Sequence, residues 1–192
     1  MFTIEFYLTG KSAELNLAGD INGIFMAEDL CPRYAKYAIY VDDNQLVDTT
    51  SGELEKRIEL FYNSEEKEIK IRIILLSEGT YGWIGVKNIN IKSCTENAIR
   101  PTEYKKLRIE YVGDSITCAF ATKPFRTITQ NFEKSYAYLS AKELNADYSD
   151  VCYSSSWVAC ESMKIPDFYI RIITHSSYKI EWYFTKFPND VE

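Results

Sequence analysis

Histidine is the residue this sequence most lacks. It has one, His175, in 192 residues, so a site built from several imidazoles is excluded, as is any zinc-finger spacing. The five cysteines (Cys31, Cys94, Cys118, Cys152 and Cys160) include no C-x-x-C pair, and an odd number does not make a complete disulfide framework. Most of them read as small buried apolar side chains. Nothing calls for a metal or a cofactor. No apolar run approaches the roughly 18–20 residues that cross a bilayer. Basic charge is also in deficit, with 22 Lys and Arg against 28 Asp and Glu and a net charge of −6. That balance favours neither nucleic acid nor an anionic membrane as partner. The opening "MFTIEFYLTG" lacks the basic start and continuous apolar stretch of a secretion signal. As written, the chain reads as cytoplasmic, or as lacking its true start.

What is present is the composition of a folded protein, 46% hydrophobic and 26% charged. Residues 1–95 read as strands. "TIEFYL" and "AELNLAG" alternate about a turn at Gly10-Lys11-Ser12, and "YAIYV" meets "DDNQLV" across the hairpin residues Asp42-Asp43-Asn44. "KRIELF", "EIKIRIILL" and "WIGVKNINIK" follow, with "SEEKE" at 64–68 as a solvated loop and Trp83 as a core aromatic rather than a sugar platform. Short strands at this spacing, without a convincing helix, predict an antiparallel β-sandwich. Residues 96–106, polar and containing Pro101, read as a linker.

The pattern then changes. "LRIEYV" is an apolar strand that runs into Gly113, and "SYAYLSAKELNADY" places Ala137, Ala141 and Leu144 on one helical face. "YSDVCY" is the next strand, and Pro166 suits the start of a helix in "IPDFYIRII". Strand, helix, strand in this order is a βαβ unit with a parallel sheet. The fold class is therefore α+β with two domains, a sandwich over 1–95 and a partial α/β domain over 107–192.

The chemistry lies in "YVGDSITCAF", residues 111–120. Taken bare, Gly-Asp-Ser is an ordinary turn. At the carboxyl end of a parallel strand it also mounts a serine hydroxyl where α/β folds place their sites. "RIEYVGDSITCAF" resembles the first sequence block of the GDSL/SGNH hydrolases, in particular the carbohydrate esterases of family 2. "TIEFYLTGKSAELNLAGD", "PRYAKYAIYVDDNQLV", "LLSEGTYGWIGVKNINI" and "NFEKSYAYLSAKELNADYSDVCYS" resemble that family too. So does "IPDFYIRIITHSSYKIEWYFTKFPNDVE", which brings the likeness to most of the chain.

The resemblance implies a jelly-roll-like sandwich followed by a flavodoxin-like SGNH domain, and secretion as the usual fate of a member. It implies Ser115 as nucleophile toward an acetylated polysaccharide, with Asp114 bracing the turn and the Ser115 N–H serving the oxyanion hole. The second family block, Ser-Gly-x-Gly, corresponds to "YSSSWVA". There Ser155 takes the place of the first Gly, an oxyanion donor, and Trp157 that of the second. Ala119 stands where the family commonly has Gly. The family's Gly-x-Asn-Asp and Asp-x-x-His blocks have no counterpart in the 192 residues, and both ends read as clipped. His175 reads as an exposed loop residue and is not nominated as base. The expectation is an acetyl-xylan or glucomannan esterase by descent, inactive as given. The alternative is a carbohydrate- or partner-binding sandwich with a relic hydrolase domain.

Overall fold

The computed structural model describes residues 3–21, 35–51, 55–78, 82–120, 129–152 and 154. Its larger part is an antiparallel sheet of β1 (Thr3–Ile21), β2 (Lys36–Val41), β3 (Asn44–Thr50), β4 (Glu55–Leu75), β5 (Gly82–Lys92) and β6 (Ile99–Pro101), in the order β3-β2-β4-β1-β5. One edge of β1 pairs with β4 along almost its whole length, from Thr3↔Ile74 to Ala18↔Glu55. The other edge is shared by β6 at Phe6–Leu8 and β5 at Ser12–Ile21.

The turn expected at Gly10-Lys11-Ser12 is a bend inside β1. In the β1–β4 register Gly10 faces Lys67 and Ser12 faces Tyr62, so residues 63–66 oppose Lys11 alone. Such an excess kinks a strand without ending it. "SEEKE", expected as a loop, supplies that excess and stays within β4. The kink also switches which residues face inward. β1 buries Phe6 and Leu8 before it and Ala13, Leu15 and Leu17 after it, while β4 buries Ile58 and Leu60, then Ile69, Ile71 and Ile73. All ten belong to one core, because the extra residues shift the alternation by one where the sheet bends.

Local chemistry explains other features. Asp42 and Asp43 have φ of 48° and 63°, the left-handed pair that a two-residue hairpin requires and that Asp tolerates. Asp42 also accepts a hydrogen bond from the Lys70 N–H at 2.9 Å. Within the segment expected as linker, residues 99–101 add a strand to β1. Trp83, expected in the core, is 49% exposed because its neighbour Ile84 takes the inward position on β5.

The second part is β7 (Leu107–Gly113), α1 (Tyr136–Glu143) and β8 (Ala146–Cys152), with β7 and β8 parallel from Leu107↔Ala146 to Gly113↔Cys152. The expected βαβ order is present. Ser135 caps α1 by accepting the Tyr138 N–H at 3.0 Å, and Asn145, at φ 48°, ends it. Ala137 and Ala141 are buried, but Leu144, expected on the same face, sits at the C-cap and is 57% exposed. No described helix is long and apolar enough to cross a membrane.

The two parts share a second core. Ala38, Ile74 and Leu76, on the face of the sheet opposite the first core, pack with Phe132 and Ala137, flanked by Tyr40, Tyr111, Tyr138 and Tyr148. Polar groups lock the same interface. Arg72 Nη1 donates to Glu133 Oε1 at 2.9 Å and to the Tyr138 hydroxyl at 2.7 Å, while the Tyr40 hydroxyl donates to Glu133 Oε2. The Thr3 and Tyr148 hydroxyls lie 2.7 Å apart. Burial and the Glu133 carboxylate raise the pKa of the Tyr40 phenol, so it stays a donor.

This arrangement makes a testable prediction. Arg72→Met strands a largely buried Glu133 carboxylate and should cost about 3–5 kcal/mol in urea unfolding, whereas Arg72→Met with Glu133→Leu should recover a good part of that loss. A double variant no more stable than the single would show that shape, not charge pairing, holds the interface.

Candidate active site

β7 ends at Gly113, and no larger residue fits there. A Cβ at Gly113 would meet Thr117 Oγ1 at 1.9 Å and Thr117 Cβ at 2.7 Å. Thr117 is itself buried, and its hydroxyl lies 2.9 Å from that of Tyr136 on α1. The chain then turns tightly. Asp114 Oδ1 accepts the Ile116 N–H at 2.9 Å, and the Asp114 carbonyl accepts the Cys118 N–H at 3.1 Å. The Ser115 carbonyl accepts the Phe120 N–H at 2.8 Å. Ser115 thus sits half-buried, two residues past a parallel strand, on a turn whose backbone is tied at both ends. The Asp114 side chain is engaged in bracing this turn. Among the described residues no side chain hydrogen-bonds the Ser115 hydroxyl.

The parallel register brings a second turn alongside. Gly113 pairs with Cys152, so β7 and β8 end side by side. Ser154 is described there; Ser155, Trp157 and His175 lie outside the described residues. So do the expected helix at Pro166 and the cysteines Cys31 and Cys160.

Cysteine usage differs from expectation. Cys118 and Cys152 form a disulfide, with Cα atoms 5.6 Å apart, and Cys94 is free and exposed. Spacing in the sequence, 34 residues, gave no hint of this pair. Proximity comes from the parallel pairing, which sets Cys152 beside the start of the turn, and from the turn itself, which carries Cys118 back. By loop-closure entropy such a bridge is worth about 3–4 kcal/mol. Asp150 Oδ2 lies 3.1 Å from Cys152 Sγ; a bridged sulfur has no proton to donate, so this contact is no hydrogen bond while the disulfide is closed.

A buried polar group joins the two turns. Glu78, just past β4, is 3% exposed and accepts both the N–H of Ser154, at 2.9 Å, and its hydroxyl. Gln130, fully buried, accepts the Glu78 N–H at 3.1 Å and donates to the Cys118 carbonyl at 3.0 Å. Burial raises the pKa of the Glu78 carboxyl, and the hydrogen bonds from Ser154 oppose that rise. Sequence reasoning missed Glu78, Gln130 and Ser154. They stand 52 and 76 residues apart in contact, and no motif links them. A cavity of about 360 Å³ on β1, β4 and β5 is lined by residues such as Glu14, Arg57 and Tyr62 and shares none with these turns.

No protein-family model matches the chain. It is similar to an acetylxylan esterase / glucomannan deacetylase of Cellvibrio japonicus, 26% identical over 148 residues, which cover 71% of this chain and 41% of that protein. A solved family two carbohydrate esterase from Cellvibrio japonicus superposes with a TM-score of 0.68 at 20% identity, over 87% of this chain and 49% of the other. One from Clostridium thermocellum, in complex with cellohexaose, gives 0.62 at 19%, over 80% and 45%. The chain resembles the family 2 carbohydrate esterases in sequence and shares their fold, and it spans less than half the length of the curated relative.

Two outcomes follow from the site's backbone and charge. Ala119 has φ 54°, a left-handed conformation that costs a residue with a Cβ roughly 1–2 kcal/mol. Ala119→Gly should therefore raise the unfolding free energy in urea titration by roughly 1 kcal/mol after the added flexibility of the unfolded chain is counted. The second concerns Asp150, whose carboxyl burial pushes up from an ordinary 3.8 to about 6. Between those values the folded protein holds a proton that the unfolded chain has released. The contribution of this group is then full below about pH 4 and is lost as pH rises to about 6, by about 3 kcal/mol. Urea unfolding at pH 4, 5.5 and 7 should show a shallower decline in Asp150→Asn; an unchanged decline would remove Asp150 as its source.

Proposed function

We propose that this chain carries the nucleophile of a carbohydrate esterase that removes acetyl groups from plant polysaccharide of the acetyl-xylan or glucomannan type. The observation that carries the reading is the mount of Ser115. It lies at the carboxyl end of a parallel strand, on a turn that needs Gly113, beside the turn that follows the neighbouring strand. In this reading the strand-rich part is the family's jelly-roll sandwich and β7-α1-β8 is the start of its SGNH domain. Support comes from the names of the relatives as well as from the motif.

The chemistry is that of acyl transfer through serine. Ser115 Oγ attacks the acetyl carbonyl carbon, and its own N–H, with that of Ser155 by the family resemblance, serves as donor to the oxyanion that forms. Collapse releases the sugar hydroxyl, and water then cleaves the acetyl-serine. A serine hydroxyl needs a base to lose its proton. Asp114 is occupied with the Ile116 N–H. Asp114 therefore does not supply it, His175 is not nominated, and imidazole stands in for the base in the test below. A polymeric substrate places the reaction outside the cell, in an oxidising setting where the Cys118–Cys152 bridge persists.

General-base assistance is worth roughly 10²–10⁴-fold, and this magnitude sets the test. Acetate release from acetylated xylan and hydrolysis of p-nitrophenyl acetate are measured for the chain, Ser115→Ala and His175→Ala, with and without imidazole as external base. Without imidazole all three should be nearly equal. With it, the chain and His175→Ala should exceed Ser115→Ala by about tenfold or more. Equal rates in imidazole would remove Ser115 as nucleophile. Ser115-dependent turnover without imidazole that vanishes in His175→Ala would make His175 the base.

A further inference from the structure

We propose that Glu78 is a positioning residue of this site, a carboxylate extended from the antiparallel sheet that holds the turn after β7 and the turn after β8 in one geometry. The inference rests on the reading of Ser115 as nucleophile. An unbroken chain of contacts links the two turns. On one side both Glu78 oxygens are taken by Ser154, the residue next to the oxyanion candidate Ser155. On the other side the Glu78 N–H and the Cys118 carbonyl are joined through the Gln130 amide, whose Nε2 also lies 3.4 Å from Glu78 Oε1. The Cys118 N–H then reaches the carbonyl of Asp114, the residue before Ser115.

Glu78 is also held firmly from behind. The Leu76 N–H donates to the Lys36 carbonyl at 2.7 Å, the Leu76 carbonyl accepts the Phe132 N–H at 3.1 Å, and Ser77 Oγ accepts the Lys36 N–H at 2.8 Å. Two consecutive residues, Leu76 and Ser77, are thus fixed before the carboxylate reaches the turns. A carboxyl this buried is costly unless its oxygens are bonded, and both of these bond to one residue of the site. The disulfide does not duplicate the tie. It fixes the last residue of β8, whereas Glu78 fixes Ser154 two residues later, next in sequence to the oxyanion candidate Ser155. A donor displaced by about 1 Å loses on the order of 10²-fold in rate, so a group that fixes its backbone acts on kcat.

The test compares the full chain with Glu78→Ala, Glu78→Gln and Gln130→Met by two readouts. One is residue-resolved amide exchange; the other is Ser115-dependent hydrolysis of p-nitrophenyl acetate in imidazole. Glu78→Ala should speed exchange at Ser154 by about tenfold or more, and at Cys118 less because alanine keeps the N–H that Gln130 accepts, while β1 and β4 keep their protection. Gln130→Met should speed Cys118 and leave Ser154 slow. In Glu78→Ala, kcat should fall on the order of 10–100-fold with KM changed less than about threefold, and Glu78→Gln should recover part of both effects. Should Glu78→Ala fail to fold, Glu78→Gln and Gln130→Met still give both readouts. Unchanged exchange at Ser154, equal loosening of β1 and β4, or an unchanged kcat while turnover depends on Ser115 would each overturn the clamp. Absence of any Ser115-dependent turnover in the parent chain would refute the nucleophile alone, and exchange at Ser154 would then decide the clamp.

Discussion

The contact between the face of the antiparallel sheet opposite its first core and the β7-α1-β8 unit is the constraint on which the rest of this structure depends. Two parallel strands and one short helix bury too little apolar surface to stand alone, because a parallel sheet needs both faces covered. Here one cover is borrowed. Ala38, Ile74 and Leu76 receive Phe132 and Ala137, and the Phe132, Tyr138 and Tyr148 rings pack on one another with centroids 5.7–5.9 Å apart. The strand that provides most of this face is buried on both sides. Ile73 points into the first core, Ile74 into the second, and neither is exposed.

That double burial was legible in part. "IKIRIILL" alternates as far as Arg72 and then runs apolar from Ile73 to Leu76, the mark of a strand end with two covered faces, but a run of this kind does not say what covers it. The hairpin at Asp42-Asp43 and the βαβ order could be read because each rests on local chemistry: left-handed turn residues and helical spacing. The bend in β1 and β4 could not. Gly10-Lys11-Ser12 is as good a turn as it is a bulge, and only the partner strand decides which. Trp83 failed for a related reason, since the inward face of β5 is set by its register with β1.

The site divides along the same line. The Ser115 turn could be found because its requirements are contiguous: a strand, a glycine that Thr117 leaves no room to replace, and an Asp that braces the next amide but one. Its supports could not, because they are contiguous only in space. Cys118 and Cys152 meet through the β7–β8 register, and Glu78 meets Ser154 through the interface between the two parts. Each of these residue types, met alone in the sequence, has an ordinary explanation. A buried Glu hydrogen-bonded to a turn beside a candidate nucleophile does not.

The segment around residues 96–106 divides the composition of this chain more sharply than it divides its energetics. Arg72, Leu76 and Glu78 belong to the sheet in sequence, yet their partners are Glu133, Phe132, Gln130 and Ser154. An ion pair, a backbone hydrogen bond and a carboxylate clamp thus follow one another along seven residues of a single strand and its exit. The rigidity that a nucleophile turn needs is set by the stiffest element it is tied to. For the Ser115 turn that element is the end of β4, a strand of the neighbouring part, paired on both edges and, at residues 73–75, packed on both faces. The sheet therefore does more than accompany the hydrolase-like unit: it closes that unit's core and supplies the fixed frame for its two turns.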